Sequence, residues 1–313
     1  MNDITIVTAF YNIKRENWSG FERSDDKYFE YFEHWARMKN RIIVYVENDV
    51  HKRRVEQIRE KFGLTDMTTV IVTGKCEEID PELYDEIKTA TENELQKGFH
   101  VHEKSPEAWS ALYNYIMILK GWFLQDAIKR NLVTDDTAAW LDFGFGHGID
   151  TYPLAEEFDF CWRYDFVSDK ITMFYLKELD ERPVFDIICT GAVYFLGFMI
   201  VGRKQYWPEF WNLMRRSMLE LNATGLVDDD QTIMYMAYRK RPELFHIERT
   251  GFFTTLKEHG GGHLTLVPQK TEAEKYPWLR RVVREFKEGR RYVKYFRRQY
   301  RNMLSSYKKW YRG

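Results

Sequence analysis

Ala138-Ala139-Trp140-Leu141-Asp142-Phe143-Gly144-Phe145-Gly146-His147-Gly148 is the stretch whose reading decides the fold. Four apolar residues run into one carboxylate, and glycines follow. A strand that carries an acid to its C-terminal end, followed by residues without bulk, fixes a negative charge at the mouth of an α/β sheet, where ligands dock. Read as a plain turn, the same string asks only that Gly144, Gly146 and Gly148 supply positive φ.

The residues before it alternate between two periods. Residues 4–10 (Ile-Thr-Ile-Val-Thr-Ala-Phe) are rich in β-branched side chains and bounded by polar ones, which predicts a buried first strand. Ser24-Asp25-Asp26 caps a helix over 27–38 that places Tyr28, Phe32, Trp35 and Met38 on one face. Residues 41–47 form a second strand ending in Glu47, 51–62 a helix closed by Gly63, and 68–73 a third strand. Strand, helix, strand in this order is a right-handed βαβ unit that opens a doubly wound sheet. An acidic, exposed stretch follows over 77–94. Ser105-Pro106-Glu107 then starts a helix running to about residue 131, with Trp109, Leu112, Ile116, Leu119, Phe123 and Ile128 on its buried side.

Beyond the central string, residues 158–167 and 187–201 predict further strands, and 208–221 a helix closed near Gly225. Asp228-Asp229-Asp230-Gln231 precedes a helical run over 232–238; as a bare reading, the acids cap it. Later, Glu258-His259-Gly260-Gly261-Gly262-His263 makes a pliable loop in which two histidines suit a metal or a phosphate.

With 313 residues, 44% of them hydrophobic, the chain can bury a full core. No apolar run reaches the roughly 18 residues of a membrane span, and residues 1–4 enter a strand rather than a leader, so the expected location is cytoplasmic. Cys76, Cys161 and Cys189 are widely spaced and read as buried thiols rather than a disulfide framework or zinc knuckle. The net charge of −1 averages two unlike regions. Residues 279–313 carry thirteen Lys or Arg against two Glu, with Val282, Phe286, Val293, Phe296, Tyr300, Leu304, Tyr307 and Tyr311 at helical spacing. A basic amphipathic helix of this kind suits an anionic membrane surface at the inner face of the cytoplasmic membrane. RNA competes on composition alone, and no nucleic acid is expected. The bland reading packs the stripe on the body. The division is 1–268 for the body and 269–313 for the tail.

Two chemistries use the central string. In a GT-A glycosyltransferase a strand-end Asp belongs to an Asp-x-Asp motif and holds a divalent cation against the diphosphate of a sugar nucleotide. In a Rossmann-like methyltransferase the glycines let the backbone approach S-adenosylmethionine. The second needs a helix straight after the glycines and an acid after the next strand. Asp165 supplies the acid, but Pro153 delays the helix and the earlier elements gain no role. A third class is a non-catalytic module attached to membrane or RNA by its tail.

Residues 6–11 (Ile-Val-Thr-Ala-Phe-Tyr), Trp18, Arg23, 28–32 (Tyr-Phe-Glu-Tyr-Phe), 39–45 (Lys-Asn-Arg-Ile-Ile-Val-Tyr) and 140–144 (Trp-Leu-Asp-Phe-Gly) resemble the bacterial HtrL/YibB (WlaTC-type) glycosyltransferases, from residue 4 to about 263. The resemblance implies a GT-A-like (Rossmann-like) α/β fold, a mixed sheet flanked by helices. It also implies transfer of a hexose from a UDP-sugar, with UDP-galactose in pyranose or furanose form the first donor to try. The acceptor would be a lipopolysaccharide, lipooligosaccharide or capsule glycan, free or lipid-linked.

Gly144 stands where such enzymes carry the second acid. Either Asp142 and His259 hold Mn²⁺ or Mg²⁺ between them, or Arg23 and Lys120 neutralise the diphosphate. Thr8, Ala9 and Tyr11 would contact base and ribose, with Glu47 nearby and Gly144 at the donor. Asp229 or Asp230 would be the base of an inverting transfer; in a retaining one, Asp230 and Gln231 would position the sugar. His263 would face the acceptor; Trp207 and Trp211 would stack on it or, as helix residues, belong to the core.

Overall fold

Both faces of residues 4–10 are covered, and they form β1 (Ile4–Phe10) inside the sheet. The computed structural model describes residues 3–146, 151–167, 169–251 and 254–268, and scattered positions between 289 and 305. After β1 come α1 (Asp25–Trp35), β2 (Ile42–Val46), α2 (Asp49–Glu60) and β3 (Thr68–Val72), with Ser24 and Asn48 capping the two helices by accepting from Lys27 N and His51 N. Next are α3 (Pro81–Glu92), the short α4 (Gln96–Phe99), α5 (Ala111–Ile118), α6 (Lys120–Lys129) and β4 (Thr137–Leu141). The remainder is β5 (Thr151–Tyr152), β6 (Ile171–Tyr175), α7 (Val184–Thr190), β7 (Phe195–Arg203), α8 (Trp207–Asn222), α9 (Asp230–Lys240), β8 (Phe245–Arg249), α10 (Thr255–Glu258) and β9 (Val267–Pro268).

The main sheet has seven strands in the order β3-β2-β1-β4-β7-β6-β8, and β5 pairs with β9 apart from it. β1 is parallel to β2 and β4, and β2 to β3. β7 alone runs against its neighbours β4 and β6, while β6 and β8 are parallel. The result is the expected mixed α/β sheet flanked by helices. Alternation along each strand divides the core: Val7, Ile43, Ala138 and Trp140 face α3, α5, α6, α8 and α9, whereas Ile6, Val44, Ala139 and Leu141 face α1 and α2.

Several expectations are corrected. The acidic stretch over 77–94 contains α3, which buries Leu83, Ile87 and Ala90 and turns its acids outward. The helix expected over 105–131 is two: Pro106 opens a 3-10 turn, Ser110 is the real cap, and the chain bends at Leu119. Residues 158–167 hold a single bridge, Arg163 to Asp3, and the strand after them is β6. Residues 187–190 belong to α7, ended by left-handed Gly191 (φ 58°), before β7 begins. Among the described residues of 143–167 no α-helix follows the glycines, and Asp165 ends no strand; the S-adenosylmethionine reading requires both.

All three thiols are free, with Cys76 and Cys189 buried. Among the described residues no helix is long and apolar enough to cross a membrane. The tail positions described, including Val293, Phe296, Tyr300 and Leu304, are helical and exposed; Val282, Phe286, Tyr307 and Tyr311 lie outside the described residues.

Candidate functional site

β1 has β2 on one side and β4 on the other, so the loops leaving its carboxyl end and that of β4 diverge and open a crevice. A cavity of about 380 Å³ occupies it, within the range of small-molecule sites. Ala9, Tyr11, Arg15 and Arg23 line it from the β1 side, Glu107 from the turn before α5, Tyr113 from the first turn of α5, and Asp142 and Gly144 from the end of β4.

Asp142 is held from both sides. Its amide donates to Phe198 O at 2.9 Å, continuing the ladder to β7, and its carbonyl accepts from Phe145 N at 2.8 Å, closing the glycine turn. Phe143 locks into the opposite face, stacked on Phe32 with centroids 4.5 Å apart. The carboxylate therefore points toward α6, where its Oδ1 accepts from Trp140 Nε1 at 2.6 Å and lies 3.2 Å from Lys120 Nζ.

Lys120 is only 3% exposed, at the first turn of α6. Its ammonium also donates to Asp230 Oδ2 at 2.7 Å and Gly197 O at 2.9 Å. All three N–H bonds are spent, so Lys120 bridges two carboxylates instead of reaching toward a diphosphate. Burial opposes its charge, but Asp142 and Asp230 more than reverse this and raise its pKa. Gly197 is required here, since a Cβ would overlap the Asp230 carboxylate.

The acid-rich turn divides its labour. Asp229 caps α9 by accepting from Gln231 N at 3.1 Å, as the bare reading expects. Asp228 accepts from Thr232 Oγ1 at 2.7 Å. Burial raises all three aspartates; Asp228, Asp230 and Glu107 add to the rise at Asp229, while Lys120 opposes it at Asp230. Asp230 is thus tied to a cation, whereas Asp228 and Asp229 have no such partner among the described residues. Glu107 lines the cavity beside this turn, and burial raises it too.

Sequence reasoning missed Arg15. Asn12 Oδ1 accepts from the amide of Lys14, which sits at φ 62°, and this tight loop sets Arg15 on the cavity wall. Its guanidinium lies 5.3 Å from the Trp18 ring and 5.9 Å from that of Tyr113, and its Nη1 donates to Tyr28 Oη at 2.7 Å. The one signal available was position, immediately after the first strand.

Other predicted residues stand elsewhere. Thr8 is fully buried within β1, and among the described residues its hydroxyl has no hydrogen-bond partner. Glu47, just past β2, is near enough to Tyr11 to add slightly to the rise that burial imposes on that phenol. Tyr11 lines the cavity, with its hydroxyl 2.5 Å from Thr73 Oγ1. Trp207 and Trp211 are core, 0% and 5% exposed, with Trp207 Nε1 donating to Gly202 O. His263 bonds Glu157 O at 2.9 Å and packs on Phe160, outside the cavity lining.

Asp142 and His259, the expected metal pair, each have other partners here. His259 is buried among Tyr164, Phe166 and Phe174, with Nδ1 2.8 Å from Thr255 O and Nε2 2.5 Å from Glu248 Oε2. Both ring nitrogens are taken, and Asp142 is already matched by Lys120. Among the described residues no three His, Cys, Asp or Glu side chains gather to hold a metal ion.

A family model described as "Bacterial protein of unknown function (HtrL_YibB)" matches residues 2–259. Protein HtrL of Escherichia coli (strain K12) is 34% identical over 264 residues, covering 79% of this chain and 88% of that protein. The match spans every strand of the main sheet and the whole cavity, and on it the chain belongs to the HtrL_YibB family of bacterial proteins.

Proposed function

We propose that this protein is a glycosyltransferase that moves a hexose from a UDP-sugar to a lipopolysaccharide, lipooligosaccharide or capsule glycan. The observation that carries this reading is the cavity at the switch point, with Asp142 at the end of β4 and arginines on the facing wall. Aromatic walls suit a nucleobase: Tyr11 stacks on Phe123 with centroids 5.8 Å apart, and Tyr28 and Tyr113 stand close by. In an inverting transfer Asp229 would take the acceptor proton, since Asp230 is committed to Lys120.

A panel of UDP, GDP, CMP and S-adenosylmethionine, each with and without Mn²⁺, tests this by thermal shift and calorimetry. A ligand that binds only the native state raises its apparent stability. Stabilisation by UDP that weakens in Asp142→Asn supports the transferase, and strengthening by Mn²⁺ would assign the cation a place there. A response to S-adenosylmethionine alone refutes it.

The second part of the proposal concerns the tail. Val293 is 49% exposed, Phe296 65% and Tyr300 59%, amid arginines, and this supports docking on an anionic membrane at the inner face of the cytoplasmic membrane. Truncation after Pro277 should release the protein from anionic liposomes without altering UDP binding. Continued sedimentation of the truncated chain refutes that role.

A further inference from the structure

We infer that Arg15 and Arg23 form a phosphate clamp, so that the diphosphate of the ligand is neutralised by guanidinium groups of the loop after β1. The nucleotide identity of that ligand rests on the function proposed above; the clamp itself rests on the following geometry.

The cations near the cavity are not equivalent. Lys120 is consumed by Asp142, Asp230 and Gly197. Arg15 and Arg23 line the cavity, and among the described residues neither has a carboxylate within ion-pair distance. Their acidic neighbours in the lining are partly engaged elsewhere: Asp142 with Lys120, and Asp25 with His51 at 3.2 Å. Glu16 and Glu107 complete the acids of the wall.

Arg15 carries a second mark. Its Nε is buried and has no hydrogen-bond partner among the described residues, although Nη1 is satisfied by Tyr28. A buried N–H left without a hydrogen-bond partner is uncommon in a folded protein, because its desolvation is costly. An anion entering the cavity would meet a half-buried guanidinium that, among the described residues, has no carboxylate partner. The aromatic rings of Trp18 and Tyr113 fix the plane of the guanidinium, and the tight loop through Asn12 and Lys14 fixes its base. A planar fork held in place matches a phosphate in two-point geometry, which a lysine does not.

Isothermal calorimetry in EDTA with UDP, UMP, uridine and inorganic pyrophosphate tests the clamp. Wild type should bind UDP at least tenfold more tightly than uridine. Arg15→Gln should weaken UDP on the order of 10- to 100-fold, the worth of a hydrogen bond to a charged group, and leave uridine unchanged. Arg15→Lys should recover only part of the loss. Arg23→Gln removes a side chain with no ion pair to break, and it should lower UDP affinity while folding normally; it serves if Arg15→Gln fails to fold.

UDP binding that both glutamine variants leave intact, or that is no tighter than uridine binding, overturns the clamp while the transferase reading stands. Pyrophosphate bound in an Arg15-dependent way with no nucleotide preference upholds the clamp and overturns the nucleotide. Absence of binding by all four compounds overturns both.

Discussion

Lys120→Met isolates the charge network under the cavity. Methionine keeps the length and most of the volume of lysine, so the perturbation is the loss of one ammonium rather than a void. Lys120 lies between Asp142 at 3.2 Å and Asp230 at 2.7 Å, and the side chains of Lys120 and Asp230 are each 4% exposed. Removing one partner of such a buried pair costs about 3–5 kcal/mol. The loss of a donor to Gly197 O adds about 1 kcal/mol. Asp142 has a side chain 22% exposed, and water there will offset some of its share. The expected deficit is therefore about 3–5 kcal/mol at pH 8.

Its pH dependence carries the test. Burial, helped by Asp142, already raises Asp230, and Lys120 is the largest force opposing that rise. Without the ammonium, the folded pKa moves further above the unfolded one. A carboxyl raised in this way costs stability above its unfolded pKa, and the cost fades as the pH falls below the folded value. The deficit should be largest at pH 8 and shrink toward pH 5, as read from urea unfolding followed by far-UV circular dichroism. A deficit under about 1 kcal/mol, the worth of a surface pair, or one equal at the two pH values, would refute the reasoning.

Three further outcomes follow from the same contacts. Gly197→Ala forces a Cβ onto the Asp230 carboxylate and should cost about 1–3 kcal/mol by overpacking, measured by the same unfolding curves. Arg59→Leu should cost at least about 3 kcal/mol, because the buried guanidinium donates to Ala36 O, Met38 O and Asn40 O and its loss strands those carbonyls. His100 is buried beside Gln96, and burial pulls its pKa down to about 4. The unfolded chain takes up a proton near pH 6.5 that the folded chain refuses. From there down to about 4 this residue should remove on the order of 1 kcal/mol per pH unit, a slope that His100→Gln abolishes.

The first three strands were legible as short β-branched runs bounded by polar residues; β1 and β2 are buried on both faces, while β3 lies at the sheet edge and is half-buried. Asp142 was legible for a related reason: a carboxylate set between an apolar strand and glycines has few structural uses. α3 was hidden because its acids outnumber the stripe of Leu83, Ile87 and Ala90 that faces the core, so composition argued for exposure. β6 was hidden behind a longer aromatic run, 158–167, whose rings pack as irregular chain beneath α1 and α10.

The site chemistry was harder than the fold because it rests on pairings between distant positions. Asp229 and Asp230 are adjacent and chemically alike in the sequence, and only the arrival of Lys120 from 110 residues upstream separates them. That ammonium lowers the proton affinity of one acid and, by being consumed, ceases to be available to a ligand. Both consequences run the same way. Asp230 is held toward its ionised form, and for the proposed nucleotide the positive charge would come from the other side of the cavity. On that side Arg15 and Arg23 follow β1 in a loop whose own polar groups make no ion pair with them. The division of acids and the placing of the clamp are one inference drawn from where a single lysine goes.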